Sequence, residues 1–170
     1  MNRTYKLTLA AILLTLALAL SYMERFFPLQ FIIPLPGVKI GLANIVSLVA
    51  LYLLSAKYAL SIVMIRSLFT SVFAGSVTAF LFSVTGGVLA ILVMALSMRV
   101  RYFSVYGVSI LGAAAHNIGQ IIAAMILMNS VYIGAYLTYL LVISLFTGFA
   151  VGLLSSGVIR ALIRMRPEKR

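Results

Sequence analysis

The chain has 170 residues and a net charge of +11 at pH 7, and 64% of its residues are hydrophobic while 9% are charged. A soluble domain of this composition would have too few polar residues to cover its surface, so we predict an all-α integral membrane protein. A spanning helix takes roughly 20 residues, so residues 1–170 have room for about six spans in a single transmembrane domain.

The small number of acidic residues excludes several kinds of chemistry. The chain contains no aspartate, and its two glutamates are Glu24 and Glu168. Paired-carboxylate catalysis and a carboxylate cage for magnesium are therefore excluded. The chain also has no cysteine, one histidine and no glycine-rich loop followed by Lys-Ser or Lys-Thr, so we expect no metal site, no cofactor, no ATP hydrolysis and no enzyme. Cytoplasmic loops beside anionic lipid explain the positive charge more simply than nucleic acid does.

The first predicted span covers residues 7–22 and carries small residues at four-residue spacing. A secretory signal peptide is the competing interpretation, because the sequence 17–19 is similar to a cleavage site. The small face consists of Ala11, Thr15 and Ala19, and such a face lets another helix approach closely. That helix could belong to a partner or to this chain, and packing within the chain is the more general use of such a face.

The first connection, residues 23–38, is apolar but contains Pro28, Pro34 and Pro36. Prolines forbid a spanning helix here, so we predict either a re-entrant segment that covers a cavity or a loop resting among the headgroups. In the first case Pro34 to Gly37 would form part of a lid. The N–H groups of the helix that follows are a natural place for an anion.

The remaining spans are predicted at residues 39–55, 58–74, 78–98, 105–128 and 132–154. Counting cations gives the orientation, because lysine and arginine concentrate on the cytoplasmic side. An inside N-terminus places ten of the thirteen cations there, and we therefore predict a multi-pass protein of the cell membrane with both termini cytoplasmic. Those ten are Arg3, Lys6, Lys57, Arg99, Arg101, Arg160, Arg164, Arg166, Lys169 and Arg170.

Three cations remain unexplained by this rule: Arg25, Lys39 and Arg66. Arg66 is near the middle of the third span, where a charge costs at least about 2.5–3.5 kcal/mol unless it faces protein or water. Glu24 is the one acid available as a counter-ion, so the outer side carries excess positive charge. We expect a negatively charged ligand to neutralise it.

Uncharged polar residues complete the predicted binding site. Lys39 and Arg66 would supply charge, and the hydrogen-bonding residues would be Asn44, His116, Asn117 and Gln120. His116 and Gln120 are four residues apart and share a helical face. Each residue also has a structural interpretation: Lys39 would snorkel to the headgroups, Arg66 would bond to carbonyl groups, and His116 would join two helices.

The chain resembles a known bacterial membrane family. The resemblance is carried by Pro-Gly-Val-Lys-Ile-Gly-Leu-Ala-Asn at 36–44, Arg66, Gly86-Gly87, and Gly-Ala-Ala-Ala-His-Asn-Ile-Gly-Gln at 112–120. The family is known both as the Gx transporter family and as heptaprenyl diphosphate synthase component I. The match covers nearly the whole chain.

Six short spans, an outer first loop and the small-residue face also resemble the S components of energy-coupling-factor (ECF) transporters. The resemblance implies capture of a small solute outside and cooperation with a membrane coupling subunit and cytoplasmic ATPases. The face Ala11/Thr15/Ala19 would then contact the coupling subunit, although threonine replaces its middle alanine.

Two hypotheses follow. The first is an S-component-like subunit that binds a small anionic or polar solute. The second is a non-catalytic membrane subunit in isoprenoid or quinone metabolism, or in redox chemistry at the outer surface. It would be non-catalytic because prenyl diphosphate synthases hold magnesium through aspartate-rich motifs, and this chain has no aspartate.

Overall fold

The computed structural model describes residues 2–26, 41–100 and 102–164, except for the side chain of Arg25. These residues form α-helices joined by turns and short 3₁₀ segments, and they contain no β-strand. The helices are α1 (Arg3–Met23), α2 (Leu42–Leu53), α3 (Ala56–Ala74), α4 (Val77–Ser97), α5 (Val105–Leu127) and α6 (Tyr136–Arg164).

Most of these helices have the length and composition of membrane spans. Five segments in the described residues are long and apolar enough to cross a membrane. Four are α1, α3, α4 and α5, and the fifth joins the 3₁₀ segment Val131–Ala135 to α6. Large apolar side chains on their outer surfaces are exposed, Phe146 and Ile126 for example at 73% each. These are the properties of a multi-pass membrane protein.

The second helix is shorter than the predicted span 39–55. α2 has 12 residues and so measures about 18 Å at 1.5 Å per residue, which is less than the roughly 30 Å thickness of the hydrocarbon core. Gly41 precedes it with φ at +82°, a left-handed conformation that glycine adopts readily, and Leu54 ends it. By length α2 is therefore a buried helix of the bundle, and a sixth full span is not observed in the described residues.

α2 is the central helix of the bundle. It contacts α1, α3, α4 and α6, while the neighbours α3–α4, α4–α5 and α5–α6 pack along their lengths. Seven of its 12 residues are buried, and Leu48 and Ala50 are fully enclosed. The hydrophobic core is therefore built around α2. The end of α1 lies beside the start of α2, because Glu24 is bonded to Leu42, and beside the end of α3, because Tyr22 and Phe73 line one groove.

Small residues let α5 and α6 pack at very short distance. A methyl group on Gly148 would lie 2.7 Å from Cα of Ile110, and one on Gly152 would lie 3.0 Å from Cα of Tyr106. The face formed by Gly148, Gly152 and Ser156 is thus used for contacts within the chain.

Candidate functional site

Arg66 lies inside the bundle and not at its surface. The residue is 6% exposed, and its Nε atom has no hydrogen-bond partner in the part of the chain that the structure describes. It shares a face of α3 with Val63, Ser67 and Thr70. The Thr70 hydroxyl donates to the Arg66 carbonyl oxygen over 2.9 Å. This bond uses the backbone of Arg66 and provides no acceptor for its guanidinium group. A buried guanidinium group without a full set of acceptors is the strongest binding feature of the described residues.

Glu24 ties the end of α1 to the start of α2. Its Oε1 atom accepts a hydrogen bond from the backbone N–H of Leu42 over 2.5 Å, across 18 positions of sequence. The anion expected at the start of this helix is therefore a carboxylate of the chain itself. Glu24 was not among the predicted binding residues, although its position as the one acid beside the first connection was the available signal.

The α3 face that carries Arg66 packs on the middle of α4. Gly87 faces Val63, so closely that a methyl group on Gly87 would overlap the Val63 side chain. Beside Arg66, the hydroxyl oxygens of Ser67 and Ser83 are hydrogen-bonded at 2.9 Å. α4 remains helical throughout, and Gly86 and Gly87 allow its neighbours to approach its backbone closely.

A neighbouring face of the same α4 segment packs against His116 and Gln120 of α5. A methyl group on Gly86 would lie 3.0 Å from Cε1 of His116 and 3.0 Å from Cγ of Gln120. Both side chains therefore lie on the α4-facing side of α5, as their four-residue spacing predicts. Gln120 is 7% exposed and His116 is half-buried. Gly87 and Gly86 thus bring the Arg66 face of α3 and this pair against neighbouring faces of the same segment of α4.

Asn117 joins α5 to α6. Its Nδ2 atom donates to the carbonyl oxygen of Leu140, near the start of α6, over 2.9 Å. This bond gives Asn117 a structural role that the sequence does not show. Its side-chain carbonyl oxygen is not used in this contact.

Asn44 lies in the first turn of α2, near α6. Its backbone N–H donates to the carbonyl oxygen of Gly41 over 2.8 Å, and a methyl group on Gly41 would lie 3.2 Å from Asn44 Nδ2 and 3.9 Å from Val151. The Asn44 side chain is half-buried. Lys39 and the predicted lid, Pro34 to Gly37, lie outside the described residues.

The small-residue face of α1 does not pack within the bundle. Ala11, Thr15 and Ala19 are all exposed, whereas Leu13 and Ala17 are the buried residues of this helix. A groove of about 350 Å³ runs between α1 and α3 beside this face. Its lining residues are Thr15, Leu18, Ala19, Tyr22, Thr70 and Phe73. The alternative use of the face, packing against a helix of the same chain, is therefore not observed among the described residues.

The charged and polar side chains on these helices are suited to binding. The described residues contain no group of three or more metal-ligating side chains. They do place a buried cation of α3 and two polar side chains of α5 close to the middle of α4. Such a set can hold an anionic or polar molecule through charge-assisted hydrogen bonds.

The fold and these polar residues define a helical, multi-pass membrane protein with a buried cationic site. Residues 13–158 match the family described as "Heptaprenyl diphosphate synthase component I", and the chain belongs to this family. No curated protein and no solved structure matches the chain.

Proposed function

We propose that this protein is a membrane-embedded binding subunit that captures a small anionic or polar solute from outside the cell, in the manner of an S component. The observation that supports the proposal is the burial of Arg66, whose Nε atom has no partner in the described residues. A charge in the middle of a span is costly, so a protein that retains one there gains from a ligand that pairs with it. The proposed binding residues are Lys39, Asn44, Arg66, His116, Asn117 and Gln120.

Loss of the solute from an Arg66 variant would test this function. The wild-type protein, purified in mild detergent, should retain a small molecule that mass spectrometry identifies after denaturation. Arg66→Ala should weaken retention by more than about tenfold, because the anionic group of the solute loses its charged partner. Arg99→Ala is the matched control, since Arg99 is an exposed cation at the opposite end of the bundle. Equal retention by the wild type and by Arg66→Ala and Lys39→Ala would contradict the proposed site.

The exposed small-residue face of α1 supports the proposal that a helix of a partner protein binds there. In the S-component hypothesis, this face would contact a coupling subunit that works with cytoplasmic ATPases. Ala19→Leu should reduce co-purification of that partner, because the larger side chain prevents close approach of a helix. Ala150→Leu is the matched control, since Ala150 is exposed on α6 and not on the small-residue face of α1. Equal co-purification with both variants would contradict this use of the face.

The family description favours a second candidate function. A component of a heptaprenyl diphosphate synthase would be a non-catalytic membrane subunit that works with a separate catalytic component. Such a subunit should co-purify with a prenyl diphosphate synthase from native membranes and should not depend on ATPase subunits. Identifying the proteins that accompany the native, untagged complex therefore distinguishes the two functions.

A further inference from the structure

Glu24 and Arg66 carry opposite charges without forming an ion pair. Glu24 lies where α1 ends beside the end of α3, the helix on which Arg66 is buried. Nevertheless, no ion pair within 4.0 Å joins the two side chains in the described structure. Opposite charges in contact attract more strongly inside a protein than in water, because the effective dielectric constant is lower there. Contact would therefore be favourable, and the separation requires a structural cause.

The cause is the hydrogen bond between Glu24 and the start of α2. Leu42 N–H donates to Glu24 Oε1 over 2.5 Å, which holds the carboxylate where α1 ends and α2 begins. Charge-assisted bonds are strong, and the positive end of the helix adds to the attraction. Arg66 is eight residues from the end of α3 at Ala74, or roughly 12 Å deeper along the helix. Glu24 is thus held above Arg66 at the same end of the bundle.

Arg66 has donor capacity that this arrangement leaves unused. Its Nε–H is buried and has no acceptor among the described residues, and a guanidinium group has five N–H donors to satisfy. A molecule that enters from the Glu24 end would meet the carboxylate first and the guanidinium group second. The order and sign of these two charges restrict which ligands the site can hold.

Building on the function proposed above, we propose that Glu24 is a specificity-determining residue of the Arg66 site. It selects ligands that present an anionic group to Arg66 and a hydrogen-bond donor or a positive group to Glu24. A small amino acid or another zwitterion has this chemistry. A ligand with an anionic group alone is attracted by Arg66 and repelled by Glu24.

Two probes that differ in one group test this inference. Butyrate has only the carboxylate, and γ-aminobutyrate adds an ammonium group at the other end of the same chain. Equilibrium dialysis of the full-length protein in nanodiscs gives the Kd for each probe. We expect the wild type to prefer γ-aminobutyrate, and Glu24→Gln to reduce the preference by about tenfold. The glutamine keeps an oxygen that can accept the hydrogen bond from Leu42 N–H. Arg25 and Lys39 are present in both proteins, so the comparison changes only the charge at residue 24.

The controls separate specificity from folding. Glu24→Asp keeps the charge and should keep the wild-type preference, whereas Arg66→Ala should weaken binding of both probes. An unchanged ratio of the two Kd values in Glu24→Gln, or an equal loss of both affinities, would overturn the role of Glu24 while leaving the proposed function intact. This inference would be contradicted if neither the wild type nor Glu24→Gln bound either probe. The proposed function would be contradicted if the protein retained its solute equally well without Arg66.

Discussion

Gly119 of α5 faces the backbone of α4 so closely that a methyl group on it would lie 2.8 Å from the carbonyl oxygen of Thr85. The same methyl group would lie 2.9 Å from Cα of Gly86. Both neighbours are backbone atoms, which cannot move aside as a flexible side chain can. The contact brings α4 and α5 together at the level of His116 and Gln120, and therefore sets the position of this part of the candidate site.

We predict that Gly119→Ala destabilises the bundle. The added methyl group forces α4 and α5 apart, and overpacking of this kind costs about 1–3 kcal/mol. The measurement is the Tm of the purified protein in detergent. Gly157→Ala is the matched control, because nothing lies within 4 Å of a methyl group at Gly157. A Tm for Gly119→Ala equal to that of the control would show that the helices are not held together at this distance.

Asn117 should contribute to stability through its bond to Leu140. Asn117→Leu removes the donor to a carbonyl oxygen in a span, and hydrogen bonds between membrane helices contribute about 0.6 kcal/mol on average and up to about 1.7. We therefore expect a modest fall in Tm. A solute that bonds to the Asn117 carbonyl oxygen should also be bound more weakly by this variant. Retention of the solute at the wild-type level would leave Asn117 with its structural role alone.

The predicted orientation has a direct test, because the chain has no cysteine of its own. Tyr102, between α4 and α5, is 97% exposed, and Tyr132, between α5 and α6, is 90% exposed. The two lie at opposite ends of the bundle. With both termini cytoplasmic, a membrane-impermeant maleimide should label Tyr132→Cys in intact cells and Tyr102→Cys only after permeabilisation. The opposite labelling pattern would reverse the orientation and place the Arg66 site nearer the cytoplasm than expected.

Composition predicted the class of fold well, because long apolar runs of span length have few other uses. The length of α2 could not be predicted in this way. The apolar run continues on both sides of it, and its start depends on the left-handed conformation of Gly41, which is a property of the folded backbone. The end of α6 was placed too early at residue 154, since the helix continues to Arg164. Polar residues do not end a helix if they can reach water.

The site was only partly predictable for a related reason. Spacing placed His116 and Gln120 on one face, and both do lie against Gly86. Spacing alone does not identify the neighbour of a small-residue face. The face of α6 packs on α5, whereas the similar face of α1 is exposed. The contact between Glu24 and Leu42 was equally hidden, because it joins residues 18 positions apart through a connection whose path the sequence does not specify.

The bond between Glu24 and Leu42 has a consequence for the variability of the chain. It fastens α1 and α2 to each other at the base of their connection, so the positions of the two helices do not depend on the length of the segment between them. Lengthening a closed loop adds little to its entropic cost, about 0.6 kcal/mol for each doubling. Insertions and deletions there should therefore be tolerated by the helical framework, and new solute preferences could arise in that segment without rebuilding the bundle.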